Sequence, residues 1–345
     1  MAKIKVGIIN VTGYAGVELA RLLYGHPRVE LVSVTGRSAI GQPLAEVFPH
    51  LAPLKLTITA ELGKVDLAFS ALPHKASAEA VAEALGQGVK MIDISADFRF
   101  KDLAMYQKWY DFKHPAPGLL AEAVYGLTEL HRSAVASSRL VANPGCYPTS
   151  AVLALAPAVK AGLVGSDIIV DSKSGVSGSG RTLSLTTHFS EANENVAAYA
   201  LEGHRHLPEI VQELERLGGR ALAVTFVPHL VPMTRGILST CYAPLVAGKL
   251  ATGEKGVQEL TGLYHDFYRG EPFVMVADAP PQTKQTWGSN MCLVYPTIDM
   301  RTGRLIVVSC LDNLVKGAAG QAIQNMNLML GLPESMGLKG LPIYP

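Results

Sequence analysis

The chain has 345 residues, 48% of them hydrophobic and 17% charged, a balance that excludes a disordered or fibrous protein and supplies enough apolar area for two domains. The 30 Lys and Arg against 29 Asp and Glu leave a net charge of +1, so no bulk field draws in nucleic acid or an anionic membrane, and any anion site must be local. Cys146, Cys241, Cys292 and Cys310 form no C-x-x-C pair, which argues against a disulfide framework and a zinc ribbon, and no metal is expected.

The apolar run Val6–Ile9 is too short for a signal peptide and reads as a first strand. Pro157 and Lys160 break the apolar run after Ala151, so no bilayer span is expected, and the reading is a cytoplasmic protein. A strand over Lys3–Ile9, a glycine-bearing turn through Gly16 and helical spacing over Val17–Leu23 open the chain. Strands follow at Val29–Thr35, Val65–Ser70 and Lys90–Ile94, with a helix at Ala76–Leu85. That alternation predicts an α/β, Rossmann-like doubly wound sheet.

From about Asp167 the pattern changes to strands at Ile168–Asp171, Leu222–Val227, Ile237–Ala243, Phe273–Val276, Met291–Thr297 and Arg304–Cys310. This predicts a mixed or antiparallel sheet in a strand-rich α+β second domain. The segment Asn313–Leu330 reads as helix and is expected to return to the first domain. The expected domains are therefore residues 1–148 with 313–345, and residues 149–312.

Between the first strand and helix, Gly13, Tyr14, Ala15 and Gly16 can offer backbone N–H groups and a helix dipole to a pyrophosphate, although a plain βα turn has the same look. After the second strand, Arg37 and Ser38 stand where an NAD enzyme places an acidic residue. A cation and a hydroxyl there suit the 2′-phosphate of NADP, the alternative being a solvated surface arginine.

Cys146 lies in Asn143-Pro144-Gly145-Cys146-Tyr147-Pro148-Thr149-Ser150, ahead of an apolar helix whose dipole favours a thiolate nucleophile. The other three cysteines sit inside strand-like apolar runs and are expected to be inert. The segment Gly203–Glu209 offers His204, His206 and Glu209 for proton transfer, and no third ligand completes a metal site. Two clusters look placed for a substrate anion: Asp93–Arg99, ending in Arg99, and the glycine-rich Asp171–Arg181, with Lys173, Ser177 and Arg181. A flexible surface loop is the competing reading of the second.

Together these residues resemble the N-acetyl-gamma-glutamyl-phosphate reductase family, nearly end to end. The likeness is carried by 143–149, Ala71-Leu72-Pro73-His74, 93–99, Tyr125-Gly126-Leu127-Thr128-Glu129, 171–181, 203–210 and Asp312–Gly320. Tyr147-Pro148 after the cysteine points to the glutamyl enzyme rather than its aminoadipyl relatives. Asn10 and Thr128 depart from the family, which usually has Gly and commonly Pro at these positions.

The resemblance implies reduction of N-acetyl-L-glutamyl 5-phosphate by NADPH through a Cys146 thioester, in arginine biosynthesis. It implies His206 as acid/base, with His204 the alternative, and Arg99, Ser177, Arg181, His204 and Glu209 at the substrate. The NADP site would comprise Gly13, Tyr14, Ala15, Gly16, Arg37, Ser38, Pro73, Asn313 and Gly317, the small residue at 317 leaving room for the nicotinamide. A homo-oligomer, dimer or tetramer, acting on a small-molecule acyl phosphate is expected. The rivals are a reductase of an aminoadipyl or aspartyl acyl phosphate, a silent NADP-binding sensor and, more weakly, a cysteine hydrolase.

Overall fold

The computed structural model describes residues 3–345, which form two compact units. The first runs to Gly145 and takes in Ala318–Gly340; the second is Cys146–Gly317 with Leu341–Pro345. The divisions thus fall at 145/146 and 317/318 rather than at 148/149 and 312/313, and residues 313–317 and 341–345 pack with the second unit.

The first unit holds a seven-stranded parallel sheet of β1 (Ile4–Ile9), β2 (Val29–Thr35), β3 (Ile58–Thr59), β4 (Leu67–Ser70), β5 (Lys90–Asp93), β6 (Val124–Tyr125) and β7 (Leu140–Ala142). Their order is β3-β2-β1-β4-β5-β7-β6. Central strands of such a sheet are covered on both faces, which is why Leu67–Ser70 is buried at every position. The order reverses direction between β1 and β4, and ligands of open α/β sheets bind beyond the carboxyl ends of strands at such a point.

A polar cluster joins the ends of β4 and β5. Asp97 accepts the N–H groups of Lys75 (2.8 Å), Ser77 (3.2 Å) and Ala78 (3.1 Å), capping the helix Ser77–Gly86 from another loop. Ser77 Oγ and Ser95 Oγ donate to Asp93 at 2.6 and 2.7 Å. Burial and the nearby Asp97 charge push the Asp93 carboxyl up to about 6. Between about pH 4 and 6 the native state keeps a proton that the unfolded chain has released, so Asp93 makes stability fall as pH rises through that window and adds no slope above it. Denaturant titrations at pH 4 and 7 should show Asp93→Asn removing about 2 kcal/mol of that fall. An unchanged slope in the variant would mean that Asp93 titrates as an ordinary carboxylate.

The tail is a π-helical turn, Val315–Ala319, followed by the helix Gly320–Met329, rather than one continuous helix from Asn313. Within the first unit its buried amides meet β6 and β7: Gln321 and Asn325 donate to the Gly126 carbonyl at 2.9 and 2.8 Å, and Asn325 donates to Asn143 Oδ1 at 3.1 Å. Thr128 belongs to this network, donating to Asn325 Oδ1 at 3.0 Å and accepting from Gln321 at 2.6 Å. Proline could make neither bond, so the hydroxyl gives this departure a physical reason.

The second unit holds a mixed sheet of β8 (Asp167–Gly175), β9 (Ala197–Ala198), β10 (Ala223–Val231), β11 (Ile237–Pro244), β12 (Val274–Val276), β13 (Cys292–Asp299) and β14 (Arg304–Leu311). The order is β12-β13-β14-β11-β8-β10-β9, with β8/β10 and β12/β13 parallel and the other pairs antiparallel. The helix Cys146–Lys160, buried over Tyr147–Val159, covers one face. The helix continues through Pro157. Proline removes the N–H that would bond the Leu153 carbonyl, and the Tyr268 hydroxyl donates there instead, with Tyr264 donating to the Ala154 carbonyl at 2.8 Å.

The opposite face is open. Along β8 the buried Ile168, Val170 and Ser172 alternate with half-exposed Ile169, Asp171 and Lys173, and along β11 Cys241 alternates with Tyr242. A hollow of about 500 Å³ on this face is lined by Ile169, Asp171, Val227, His229, Tyr242 and Arg304. Among the described residues, no helix is long and apolar enough to cross a membrane.

Candidate active site

In the first unit, the β1–helix loop is shaped by a residue the family pattern does not favour. Asn10 adopts φ 69°, a left-handed conformation that glycine, and after it asparagine, accepts most readily. Its side chain then does what glycine could not: Nδ2 donates to the Ala71 carbonyl beyond β4 at 2.9 Å, and Oδ1 accepts from Thr12 at 3.2 Å. Gly16 is fixed by close approach, since a Cβ there would lie 2.5 Å from the Asn10 carbonyl oxygen.

Gly13 caps the helix Tyr14–Tyr24, so the N–H groups of its first turn point out of the loop where an anion would sit. Arg37 and Ser38 are exposed just beyond β2, next to Gly36, whose Cβ position lies 3.2 Å from the Thr12 methyl. Pro73 opens the turn after β4, its carbonyl accepting from Ala76 N–H at 3.2 Å. These residues fit a dinucleotide phosphate and a 2′-phosphate. Arg99, expected at the substrate, is buried with its guanidinium on backbone: Nε donates to the Asn143 carbonyl and Nη2 to the Ile94 carbonyl, both at 2.8 Å. Those contacts steady the segment leading to Cys146.

In the second unit, Cys146 is the first residue of its helix and half-buried, where the helix dipole favours negative charge. Cys241, Cys292 and Cys310 are buried in β11, β13 and β14, as their apolar runs implied. Burial pushes the Cys310 thiol up to about 12 and the Cys241 thiol further.

The two histidines stand together, rings 4.8 Å apart, beside Tyr147, whose ring centroid lies 5.6 Å from His204 and 5.9 Å from His206. Phe226 and Tyr199 complete the wall around His204, at 5.4 and 5.5 Å. Burial, and then the Arg205 charge, lowers His204 to about 4. Its Nδ1 accepts the His206 N–H at 3.0 Å, which assigns the proton of the neutral ring to Nε2. His204 is therefore a neutral ring at physiological pH. His206 caps the helix Leu207–Gly218, and Glu209 is buried in its first turn.

Tyr147 and Tyr199 share a hydrogen bond at 3.1 Å; burial pushes Tyr199 up to about 12 and Tyr147 higher, so both act as neutral hydroxyls.

In the loop after β8, four of the amides expected to face an anion bond carbonyls instead. Gly175 donates to the Gly236 carbonyl (2.9 Å), Val176 to Met233 (2.9 Å), Ser177 to Thr234 (3.2 Å) and Gly180 to Ser177 (3.1 Å). A Cβ at Gly175 would lie 2.7 Å from the Thr234 carbonyl oxygen, so that glycine serves chain-to-chain approach. Lys173 pairs with Asp171 at 2.8 Å on the open face of the sheet, and Arg181 is exposed. Asn313 is held within the unit, donating to Ser177 Oγ at 2.9 Å and accepting from Gly236 N–H at 2.7 Å. The space a side chain would take at Gly317 is occupied by Cys146, not left open for a cofactor ring.

Sequence reasoning missed Tyr199 and Phe226, which left no signal in the sequence. No group of three His, Cys, Asp or Glu among the described residues is arranged to hold a metal.

Residues 5–138 match the family described as semialdehyde dehydrogenase, NAD binding domain, and residues 146–313 that described as semialdehyde dehydrogenase, dimerisation domain. The fold is shared with aspartate semialdehyde dehydrogenase II of Vibrio cholerae, at TM-score 0.71 and 18% identity over 96% of this chain and 99% of that one. It is shared also with the Candida albicans aspartate semialdehyde dehydrogenase solved with NADP, at TM-score 0.66 and 14% identity over 95% and 99%. The N-acetyl-gamma-glutamyl-phosphate reductase of Dehalococcoides mccartyi is 59% identical over 100% of both chains, and that of Pelotomaculum thermopropionicum 52% over 99% of both. The chain belongs to the N-acetyl-gamma-glutamyl-phosphate reductase family. As a member of that family it is an oxidoreductase, with a semialdehyde dehydrogenase NAD-binding domain in its first unit.

Proposed function

We propose that the protein reduces N-acetyl-L-glutamyl 5-phosphate to N-acetyl-L-glutamate 5-semialdehyde and phosphate, with NADPH, in arginine biosynthesis in the cytoplasm. The observation that carries this reading is Cys146 at a helix start in the same unit as the paired histidines, in a chain 59% identical to a reductase of that name.

The Cys146 thiolate attacks the acyl carbon, the C–O bond to phosphate breaks, and phosphate leaves with its electron pair, giving a thioester. NADPH, when bound, supplies the hydride that reduces this thioester. His206 gives the resulting oxyanion its proton, then takes it back as the C–S bond breaks to release aldehyde and thiolate. Backbone N–H groups at the helix start, close to the acyl carbon on Sγ, stabilise the oxyanion. Ser177, Arg181, His204 and Glu209 are assigned to the substrate. Gly13, Tyr14, Ala15, Gly16 and Pro73, with Asn313, are assigned to NADP.

The open sheet face, with half-exposed Ile169 and Tyr242, lies within the residues matching a dimerisation domain and is assigned to self-association.

Loss of absorbance at 340 nm on mixing NADPH with N-acetyl-glutamyl phosphate tests the reading, with aspartyl phosphate as comparison. Equal or faster turnover of aspartyl phosphate would reassign the substrate. Arg37 and Ser38 are assigned to the 2′-phosphate; a charge-assisted bond there is worth roughly 1.5–3 kcal/mol. Arg37→Ala should weaken NADPH by about 10–100-fold and leave NADH nearly unchanged, as read by nucleotide fluorescence titration. Equal losses for both nucleotides would make Arg37 structural.

A further inference from the structure

A Cβ placed on Gly317 would lie 2.7 Å from the Cys146 Cβ and 3.2 Å from its Cα, well inside the ordinary carbon–carbon contact of about 3.5–4.0 Å. An uncommon turn makes this approach. Val315–Ala319 is π-helical, and the Gly317 N–H donates across five residues to the Asp312 carbonyl at 2.9 Å.

The turn is anchored at its start by the buried Asp312 carboxylate. Oδ1 accepts the N–H groups of Leu314 and Val315 at 2.8 and 3.2 Å, and Oδ2 accepts that of Gly288 at 2.7 Å, with Arg235 at 3.4 Å. The other wall is anchored too. One helical turn beyond Cys146, Ser150 Oγ bonds Ser239 of β11 at 2.9 Å and Ser309 of β14 at 2.5 Å, and Ser172 of β8 meets Ser239 at 2.7 Å. A buried hydroxyl cluster thus pins the first turn of the helix to the sheet, and neither wall can retreat without breaking buried hydrogen bonds.

We infer that Gly317 is a positioning residue: the missing side chain at 317 is the space that sets where Cys146 Cβ, and with it Sγ, stands at the helix start. The inference rests on the reading of Cys146 as nucleophile and replaces that of a glycine leaving room for a cofactor ring. Any Cβ at 317 drives Cys146 outward by several tenths of an ångström or more, and displacement of a reacting atom by about 1 Å can cost about 100-fold in rate.

The test is Gly317→Ala in the full chain, read three ways. In the folded variant kcat should fall by about 100-fold while the NADPH Kd stays within about threefold, a split that a cofactor-cradling glycine would not give. The iodoacetamide rate at Cys146, followed by peptide mass mapping across pH, should differ from that of the parent. The melting temperature should drop by about 3 °C or more, and Cys146→Gly, which removes the opposing Cβ and leaves only the Cα at 3.2 Å, should lessen that drop. If Gly317→Ala does not fold alone, folding of the Cys146→Gly, Gly317→Ala pair supports the inference and its failure overturns it. Unchanged kcat in a folded Gly317→Ala, or an equal melting loss in both backgrounds, also overturns it. If the parent itself reduces no acyl phosphate, the proposed reaction fails, and the alkylation and melting measurements still decide the Gly317 contact.

Discussion

Replacing Cys146 with serine should lower kcat by about 10⁴-fold or more while NADPH binds as before. A hydroxyl is a far weaker nucleophile than a thiolate at neutral pH, and it forms an ester where hydride reduction needs a thioester. The nucleotide loop around Gly13 and Gly16 is untouched by the change, so the cofactor titration controls for misfolding. The contrast with the other cysteines sharpens the expectation. Cys241 and Cys310 have thiols raised by burial inside strands, so iodoacetamide should label Cys146 first. Full activity in Cys146→Ser, or first labelling at another cysteine, would remove the thiol from the chemistry.

The second large effect is expected at the histidines, and it is asymmetric. His206→Gln should cost about 10²–10⁴ in kcat, the usual worth of a positioned acid/base. The variant should also lose the limb of the pH–rate profile that His206 contributes. His204 already accepts a hydrogen bond from the His206 backbone and is lowered to about 4 by burial, so it stays a neutral ring that does not titrate near neutrality. His204→Gln should act through KM and stability, because it removes a packed ring and the acceptor that fixes His206. If His204→Gln flattened the pH profile and His206→Gln did not, the roles would be exchanged.

Much of the framework was legible because it is written in periodicity. The seven-residue Val29–Thr35 strand has the predicted bounds, and Lys90–Asp93 and Ile237–Pro244 differ by one residue. Two-residue strands such as β3, β6 and β9 carry no period and could not be read. What lets the helix run through Pro157 is not local, since the compensating hydroxyls of Tyr264 and Tyr268 come from over a hundred residues away.

The chemistry was legible in residue type and less so in use. The helix start at Cys146 agrees with its sequence context, whereas the burial of His204 beside His206 could not be read from H-x-H. The glycines of 171–181 looked like an anion cradle, yet the Gly175, Val176 and Ser177 amides bond carbonyls of 233–236, a tertiary pairing that sequence does not reveal. Asn10 looked like a flaw in the nucleotide loop. Its φ of 69° and its bond to the Ala71 carbonyl show a second solution to the same turn.

The most direct measurement is mass spectrometry of the protein mixed with N-acetyl-glutamyl phosphate in the absence of NADPH. An N-acetyl-glutamyl group should appear on the Cys146 peptide with release of one phosphate, and should disappear when NADPH is added, with semialdehyde formed in equal amount. No adduct, or an adduct on another residue while turnover proceeds, would contradict the thioester route.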